Sequence, residues 1–294
     1  MAKSKKETIY WLAVVLYGVL LTGVLLYLRF PASEFRQLCC AMIEETVPGV
    51  NCSIGSIRYG FPGTLFFEDF QLRGDGAAEV VLFEDPRLAV KPVWPDFIGT
   101  FAVESSAFGG QHSVKLKSSS QADTLELTDL KIENLDLARL TYMERELDRK
   151  VSGILTAGGS VVFTKSGFEL LSGSGDVRIS RGAFALHRPI LGLDTMDLDT
   201  GFLKFVLQDK RLEITDGTFS NNKLSAVFSG EVQLLEPWLA AEISVKGELS
   251  PLPPLYQENR QLQAIVTRML KQRNTKMLPF TVGGTVGRPT FVFE

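Results

Sequence analysis

Cys39, Cys40 and Cys52, the two histidines His112 and His187, and the run Asp194, Asp197 and Asp199 are the residues whose types invite redox, metal or acid–base chemistry. In an oxidising compartment Cys52 can pair with Cys39 or Cys40, leaving an odd thiol. The stronger reading packs Cys39 on an apolar helical face, because nothing around the three cysteines resembles a redox or zinc spacing. Neither histidine has a second ligand at a metal-site spacing, so histidine-based catalysis finds no support. Carboxylates at alternating positions can converge on a hard cation, but the three aspartates match no calcium-binding repeat and read as surface and turn residues. Asn51-Cys52-Ser53 fits a glycosylation acceptor, which matters only in a host that glycosylates exported proteins. The chain has no G-x-S-x-G elbow, H-E-x-x-H helix, P-loop or G-x-G-x-x-G turn. The expectation is a non-enzymatic protein with no catalytic, cofactor-binding or metal-binding residues.

What positions these residues begins with an apolar segment. Ile9 to Leu28 carries no charge, and a helix of that length, rising about 1.5 Å per residue, spans a hydrocarbon core of ~30 Å. Tyr10 and Trp11 at its start and Tyr27 and Phe30 at its end suit the two headgroup layers. Lys3, Lys5 and Lys6 precede it against Glu7 alone, which keeps a short N-terminus cytoplasmic and sends the bulk of the chain outward. The run exceeds a signal-peptide core of ~7–15 residues and no A-x-A site comes after it, so it reads as a retained anchor. The first thirty residues are net +3, so the remainder is net −6 in a chain of net −3, and such a surface offers nucleic acid no general attraction.

Phe35, Leu38, Cys39, Met42 and Ile43 recur at helical spacing, predicting a short amphipathic helix over 31–46 with Ser33 as N-cap, ended by Pro48-Gly49. It either lies on the membrane or plugs the near end of the strand-rich region beyond it. From Asn51 onward the texture is that of strands: Val, Leu, Phe and Thr punctuated by Gly, Asp, Asn and Ser. Two long alternating runs, Leu224-Ala226-Phe228-Gly230-Val232-Leu234 and Leu239-Ala241-Ile243-Val245-Gly247-Leu249, predict a strand pair joined through Glu236 and Pro237. Leu125, Leu127, then Leu130, Ile132, then Leu135, Leu137 shift phase at Asp129 and at Asn134. Since side chains alternate strictly between faces, bulges or bends at those two residues are needed to keep the leucines together. Leu191, Leu193, then Met196, Leu198 slip in the same way. Recurrent Gly before or within strand-like runs (Gly153, Gly175, Gly230, Gly247, Gly284) fits repeated hairpins of one sheet.

Two more helices are expected. One is marked by Leu140, Met143 and Leu147. The other, near 255–272, has the stripe Leu262, Ile265, Val266, Met269, Leu270 and a basic outer side of Arg260, Arg268 and Lys271, with Arg273 just beyond. A solvated face on a helix packed against the sheet is favoured for this basic side over contact with acidic headgroups. The fold class is therefore mainly β: an N-terminal transmembrane helix, then a long, curved, mostly antiparallel sheet forming an open groove or incomplete barrel, with a few short helices. The chain divides into 1–30 (tail and anchor), 31–50 (juxtamembrane helix) and 51–294 (β domain). An apolar sheet face of this kind must be covered by a second layer, a partner or a lipid. Its candidate groove-lining residues are Leu224, Phe228, Val232, Leu234, Ile243, Val245 and Leu249.

The stretch Ile54-Gly55-Ser56-Ile57-Arg58-Tyr59-Gly60-Phe61-Pro62-Gly63-Thr64-Leu65-Phe66-Phe67-Glu68-Asp69-Phe70-Gln71-Leu72, directly after the anchor, resembles the opening of type II secretion protein N (GspN) and of AsmA-like proteins. The ending Leu278-Pro279-Phe280-Thr281-Val282-Gly283-Gly284-Thr285-Val286-Gly287-Arg288-Pro289 resembles the close of AsmA-like domains. The chain is shorter than the large AsmA-like bridges, which favours the secretion branch. The resemblance implies a bacterial inner-membrane protein, single-pass, whose periplasmic sheet is a non-enzymatic component of a type II secretion system, with other secretion components as partners. The wider group implies the alternative, binding or transfer of phospholipid or another lipid through an apolar groove. No catalytic residue is carried over from either.

Overall fold

The computed structural model describes residues 2–47, 49–60, 63–74, 80–96, 98–119, 122–166, 169–190, 193–258, 263, 266–268, 270 and 277–294. Helix α1 (Ala2–Leu28) has 27 residues and runs about 40 Å at ~1.5 Å per residue. Its described side chains from Ile9 to Leu25 are nearly all exposed, Trp11 at 66% and Tyr17 at 69%. Among the described residues no helix is long and apolar enough to cross a membrane. The side chains of Tyr27 and Leu28, which complete the expected span, lie outside the described ones.

Helix α2 (Ala32–Thr46) begins almost at once. Its N-cap is Pro31, not Ser33: the Ser33 hydroxyl donates to the Glu34 carboxylate at 2.8 Å, so it is not turned back toward the helix amides. The expected apolar stripe is split. Phe35, Cys39 and Ile43, joined by Cys40, pack on the sheet, whereas Leu38 and Met42 are exposed.

The rest is one antiparallel sheet: β1 (Val50–Ser53), β2 (Ser56–Gly60), β3 (Thr64–Gly74), β4 (Val80–Pro92), β5 (Thr100–Ser105), β6 (Gln111–Ser118), β7 (Thr124–Asp136), β8 (Val151–Thr164), β9 (Leu170–Ile190), β10 (Leu193–Gln208), β11 (Arg211–Ser220), β12 (Leu224–Gln233), β13 (Glu242–Pro251), β14 (Leu278–Gly284) and β15 (Pro289–Phe293). From β3 onward each strand pairs with the next in sequence, while β1 and β2 share the free side of β3. No crossover is needed, since each antiparallel strand returns directly beside the one before it; the β7–β8 and β13–β14 connections are longer and carry helices. β1 and β15 end the strand order unpaired with each other, so the sheet is open.

The phase slips of the leucine runs have the expected cause. Asp129 (φ 52°) and Asn134 (φ 56°) sit in the left-handed region, and the β7–β8 register shifts between Leu127 and Leu130 and again between Ile132 and Leu135. Asp and Asn tolerate that conformation best among non-glycine residues. The β9–β10 register likewise shifts between Leu193 and Thr195. The Glu236-Pro237 connection joins β12 to β13 as expected, but Leu234 lies past the end of β12. Leu239 falls in a 3₁₀ turn (Trp238–Ala240), so the pairing is shorter than the alternation suggests.

Helix α3 (Thr141–Leu147) and helix α4 (Pro253–Glu258) are present. Beyond α4, Gln263, Val266, Thr267, Arg268 and Leu270 are helical, with Val266 buried and Arg268 exposed. Leu262, Ile265, Met269, Arg260, Lys271 and Arg273 lie outside the described residues.

Two covered regions hold the sheet ends. At the near end Ile54, Ile57, Phe67 and Phe70 meet Phe30, Phe35, Cys39 and Ile43 from the helical side. At the far end Leu224, Leu249 and Leu278 lie beneath Leu255 of α4 and Val266, and all five are at most 3% exposed. Each such side chain contributes about 1.5–3 kcal/mol by leaving water.

Candidate functional site

Directly paired residues of neighbouring strands project from the same face of a sheet. The register therefore identifies which side chains share a surface. One cross-strand row runs Ile132, Ala157, Val177, Leu203, Gly217, Phe228, Gly247, Phe280, Phe293, from β7 to β15. The row beside it runs Leu130, Gly159, Gly175, Phe205, Ile214, Gly230, Val245, Val282, Phe291. A third runs Leu127, Val161, Gly173, Leu207, Leu212, Val232, Ile243. Every member of all three rows is apolar or glycine. The bulge at Asp129 is what keeps Leu127 and Leu130 together on this face, and the one at Asn134 sets Leu135 opposite Leu155.

The other face is polar. There Lys117 and Glu126 pair at 3.9 Å and Arg211 and Glu231 at 3.4 Å, and Lys91 pairs with Glu104. Such exposed pairs contribute about 0–1 kcal/mol each and mark a solvated surface.

The apolar face is not covered evenly. The far end carries the α4 segment, but Leu127, Leu130, Ile132, Val161, Val177, Leu203 and Phe205 are all only half-buried. Toward one margin Leu207 and Ile214 are buried, at 4% and 6% exposed. Aromatic side chains lie along this face over glycines. A Cβ on Gly217 would stand 2.3 Å from the Phe228 ring, one on Gly247 2.6 Å from the Phe280 ring, and one on Gly175 3.2 Å from the Phe205 ring. Rings resting on glycine backbone keep the floor low, which side chains at those positions would raise.

Of the residues singled out from sequence, Phe228, Val232, Ile243 and Val245 belong to these rows, with Val245 buried. Leu224 and Leu249 share the face but lie under α4. Leu234 stands outside, its N–H donating to the Lys210 carbonyl at 2.7 Å. The half-covered surface centres instead on β7–β10, through Val161, Val177, Leu203 and Phe205. Val161 and Val177 were hidden in sequence because glycines at 159, 173 and 175 interrupt the alternation that would have disclosed them.

The remaining candidates do not assemble into reactive groups. Asp194, Asp197 and Asp199 are exposed, and among the described residues no cluster of potential metal ligands forms. His112 is tied through Nε2 to the Ala107 carbonyl at 2.9 Å, and the His187 side chain lies outside the described ones. Sequence reasoning passed over Asp85, a fully buried carboxylate on the apolar face opposite Phe70. Its Oδ1 accepts from the Arg87 and Ser106 amides, at 2.9 and 3.2 Å, and from the Ser106 hydroxyl at 3.3 Å, while Oδ2 has no hydrogen-bond partner among the described residues. It clamps the chain after β5 onto β4. The visible signal was an Asp-Pro step, Asp85-Pro86, inside the strand Val80–Pro92.

The class defined by these features is an open antiparallel meander with one apolar and one polar face, covered at both ends. Comparison with protein-family models, with curated proteins and with solved structures finds no match.

Proposed function

We propose that this chain is a non-enzymatic, membrane-anchored protein that holds a lipid acyl chain against the apolar face of its sheet. The observation that carries the reading is the patch around Val161, Val177, Leu203 and Phe205, apolar along every cross-strand row yet only half-buried between two covered ends. A hydrocarbon chain is the occupant such a surface suits, because it removes apolar area from water without asking for hydrogen bonds. α1 is the anchor in this proposal. Its apolar side chains from Ile9 to Leu25 are largely exposed, and Lys3, Lys5 and Lys6 orient the N-terminus to the cytoplasm of a bacterial inner membrane. The sheet then stands in the periplasm.

The test is purification of the full chain in mild detergent, organic extraction and mass spectrometry. It is paired with crosslinking by a phospholipid carrying a diazirine in its acyl chain. Crosslinks on β7–β10, lost in Val177→Asp, support the reading; labelling confined to α1 with no co-purified lipid overturns it.

A second reading is favoured by one observation. Ser56–Gly60 and Thr64–Gly74 form a hairpin immediately after the helices, and Leu278–Gly284 and Pro289–Phe293 close the chain as another. These are the two stretches that resemble GspN and AsmA-like proteins. On that reading the sheet docks other type II secretion components. Pull-down of a secretin or pseudopilin with the full chain tests it, and a host lacking that machinery removes it.

A further inference from the structure

α2 and β1 meet through their cysteines. Cys39, Cys40 and Cys52 are free thiols, and all three pack against the cluster of Ile54, Ile57, Phe67 and Phe70. Cys52 is paired with Leu72, which faces the same cluster, so its side chain points to the side on which α2 lies. Glu44, one helical turn beyond Cys40, accepts the Cys52 N–H at 2.9 Å. Residues four apart share a helix face, so Cys40 and Glu44 reach β1 together, whereas Cys39 shares its face with Phe35 and Ile43.

We propose that Cys40 and Cys52 form a disulfide when the chain meets an oxidising compartment, leaving Cys39 as the odd thiol, and that this bond fastens α2 over the near end of the sheet. Glu44 on the Cys40 face of α2 already holds the Cys52 amide and both cysteines pack on the same cluster, so the two thiols lie on facing surfaces where a disulfide can close. A bond between Cys39 and Cys40 is disfavoured because consecutive helical side chains diverge by about 100°.

The oxidant is a small-molecule or protein disulfide. One cysteine thiolate attacks a sulfur of it, displacing one thiolate and forming a mixed disulfide. The second cysteine, losing its proton, attacks that mixed bond, forms Cys40–Cys52 and releases the second thiolate. Two thiols are oxidised and one disulfide is reduced to two thiols.

The experiment treats the full chain in detergent with excess oxidised glutathione, alkylates it with iodoacetamide and maps peptides without reduction. The expected result is a Cys40–Cys52 crosslink with Cys39 alone alkylated, retained in Cys39→Ser and absent in Cys52→Ser. Three alkylated cysteines after oxidation, or a crosslink containing Cys39, overturns the proposal. Closing the loop restricts the unfolded chain. Oxidation should therefore raise the thermal midpoint of the wild type and of Cys39→Ser but not of Cys40→Ser; equal midpoints in all three remove the fastening role.

Discussion

The ring of Phe228 rests on the backbone of Gly217, its directly paired neighbour on β11, so closely that a Cβ on the glycine would stand 2.3 Å from the ring. Phe228 also packs against the far-end cluster. The aromatic thus gains contact by lying down, and the glycine is the space it lies in.

Gly217→Ala should therefore overpack the site and cost about 1–3 kcal/mol. In a Phe228→Ala background the ring is gone and the same alanine should cost little. A double-mutant cycle in urea reads the coupling, expected at ~1–3 kcal/mol. Additive effects would mean that the ring and glycine are not in contact.

An acid on the apolar face separates covered from uncovered positions. Phe228→Asp, within reach of the far-end cluster, should cost several kcal/mol because a carboxylate there lacks a partner, about 2–7 kcal/mol for an unpaired polar group. Ile243→Asp is half-buried and should cost less. Leu203→Asp should leave the fold largely intact and reduce co-purified lipid. Thermal unfolding and lipid quantification on the same preparations check all three. Wild-type behaviour in Phe228→Asp and Ile243→Asp would show that this face is not the apolar one.

Asp85 is fully buried and accepts two backbone amides through one oxygen. Asp85→Ala orphans both donors, at about 1–3 kcal/mol each. Asp85→Asn keeps an acceptor in place and should retain a larger part of the stability. The ordering of urea midpoints, wild type above Asn above Ala, is the expected result.

Asp129 combines a left-handed backbone with a charge pair: its carboxylate lies 2.7 Å from Lys115 Nζ, whose hydrogen bond and charge hold its pKa below the usual carboxylate range. Asp129→Gly should be near neutral in backbone strain, whereas Asp129→Val should cost about 1–2 kcal/mol. A depressed folded pKa gives stability that is present above the unfolded value near ~3.9 and is lost as pH falls through the folded one. Asp129→Asn should flatten that part of the acid limb of the stability–pH curve. A site-resolved NMR titration showing an ordinary Asp129 pKa would remove the pair's role.

The residue types alone determined much of this protein. Period-two alternation declared the β12–β13 pair, and the phase slips at Asp129 and Asn134 declared two bulges, because a strand cannot shift its apolar face without an extra residue. The i, i+4 recurrence of Phe35, Cys39 and Ile43 declared α2. Those are local signals, set by backbone periodicity within a few residues.

Tertiary structure decided the rest. Leu38 and Met42 read as part of one apolar stripe, but the side of α2 that carries Phe35, Cys39, Cys40 and Ile43 is the one that meets the sheet, which leaves them in the open. Leu224 and Leu249 read as groove and became covered core, because α4 and Val266, remote in sequence from Leu224, fold back over them. The half-buried floor at Val161, Val177, Leu203 and Phe205 exists only when three strands are placed in register. Whether an apolar face is core or binding surface depends on what lies across from it, and that contact is not written in the periodicity of any one strand.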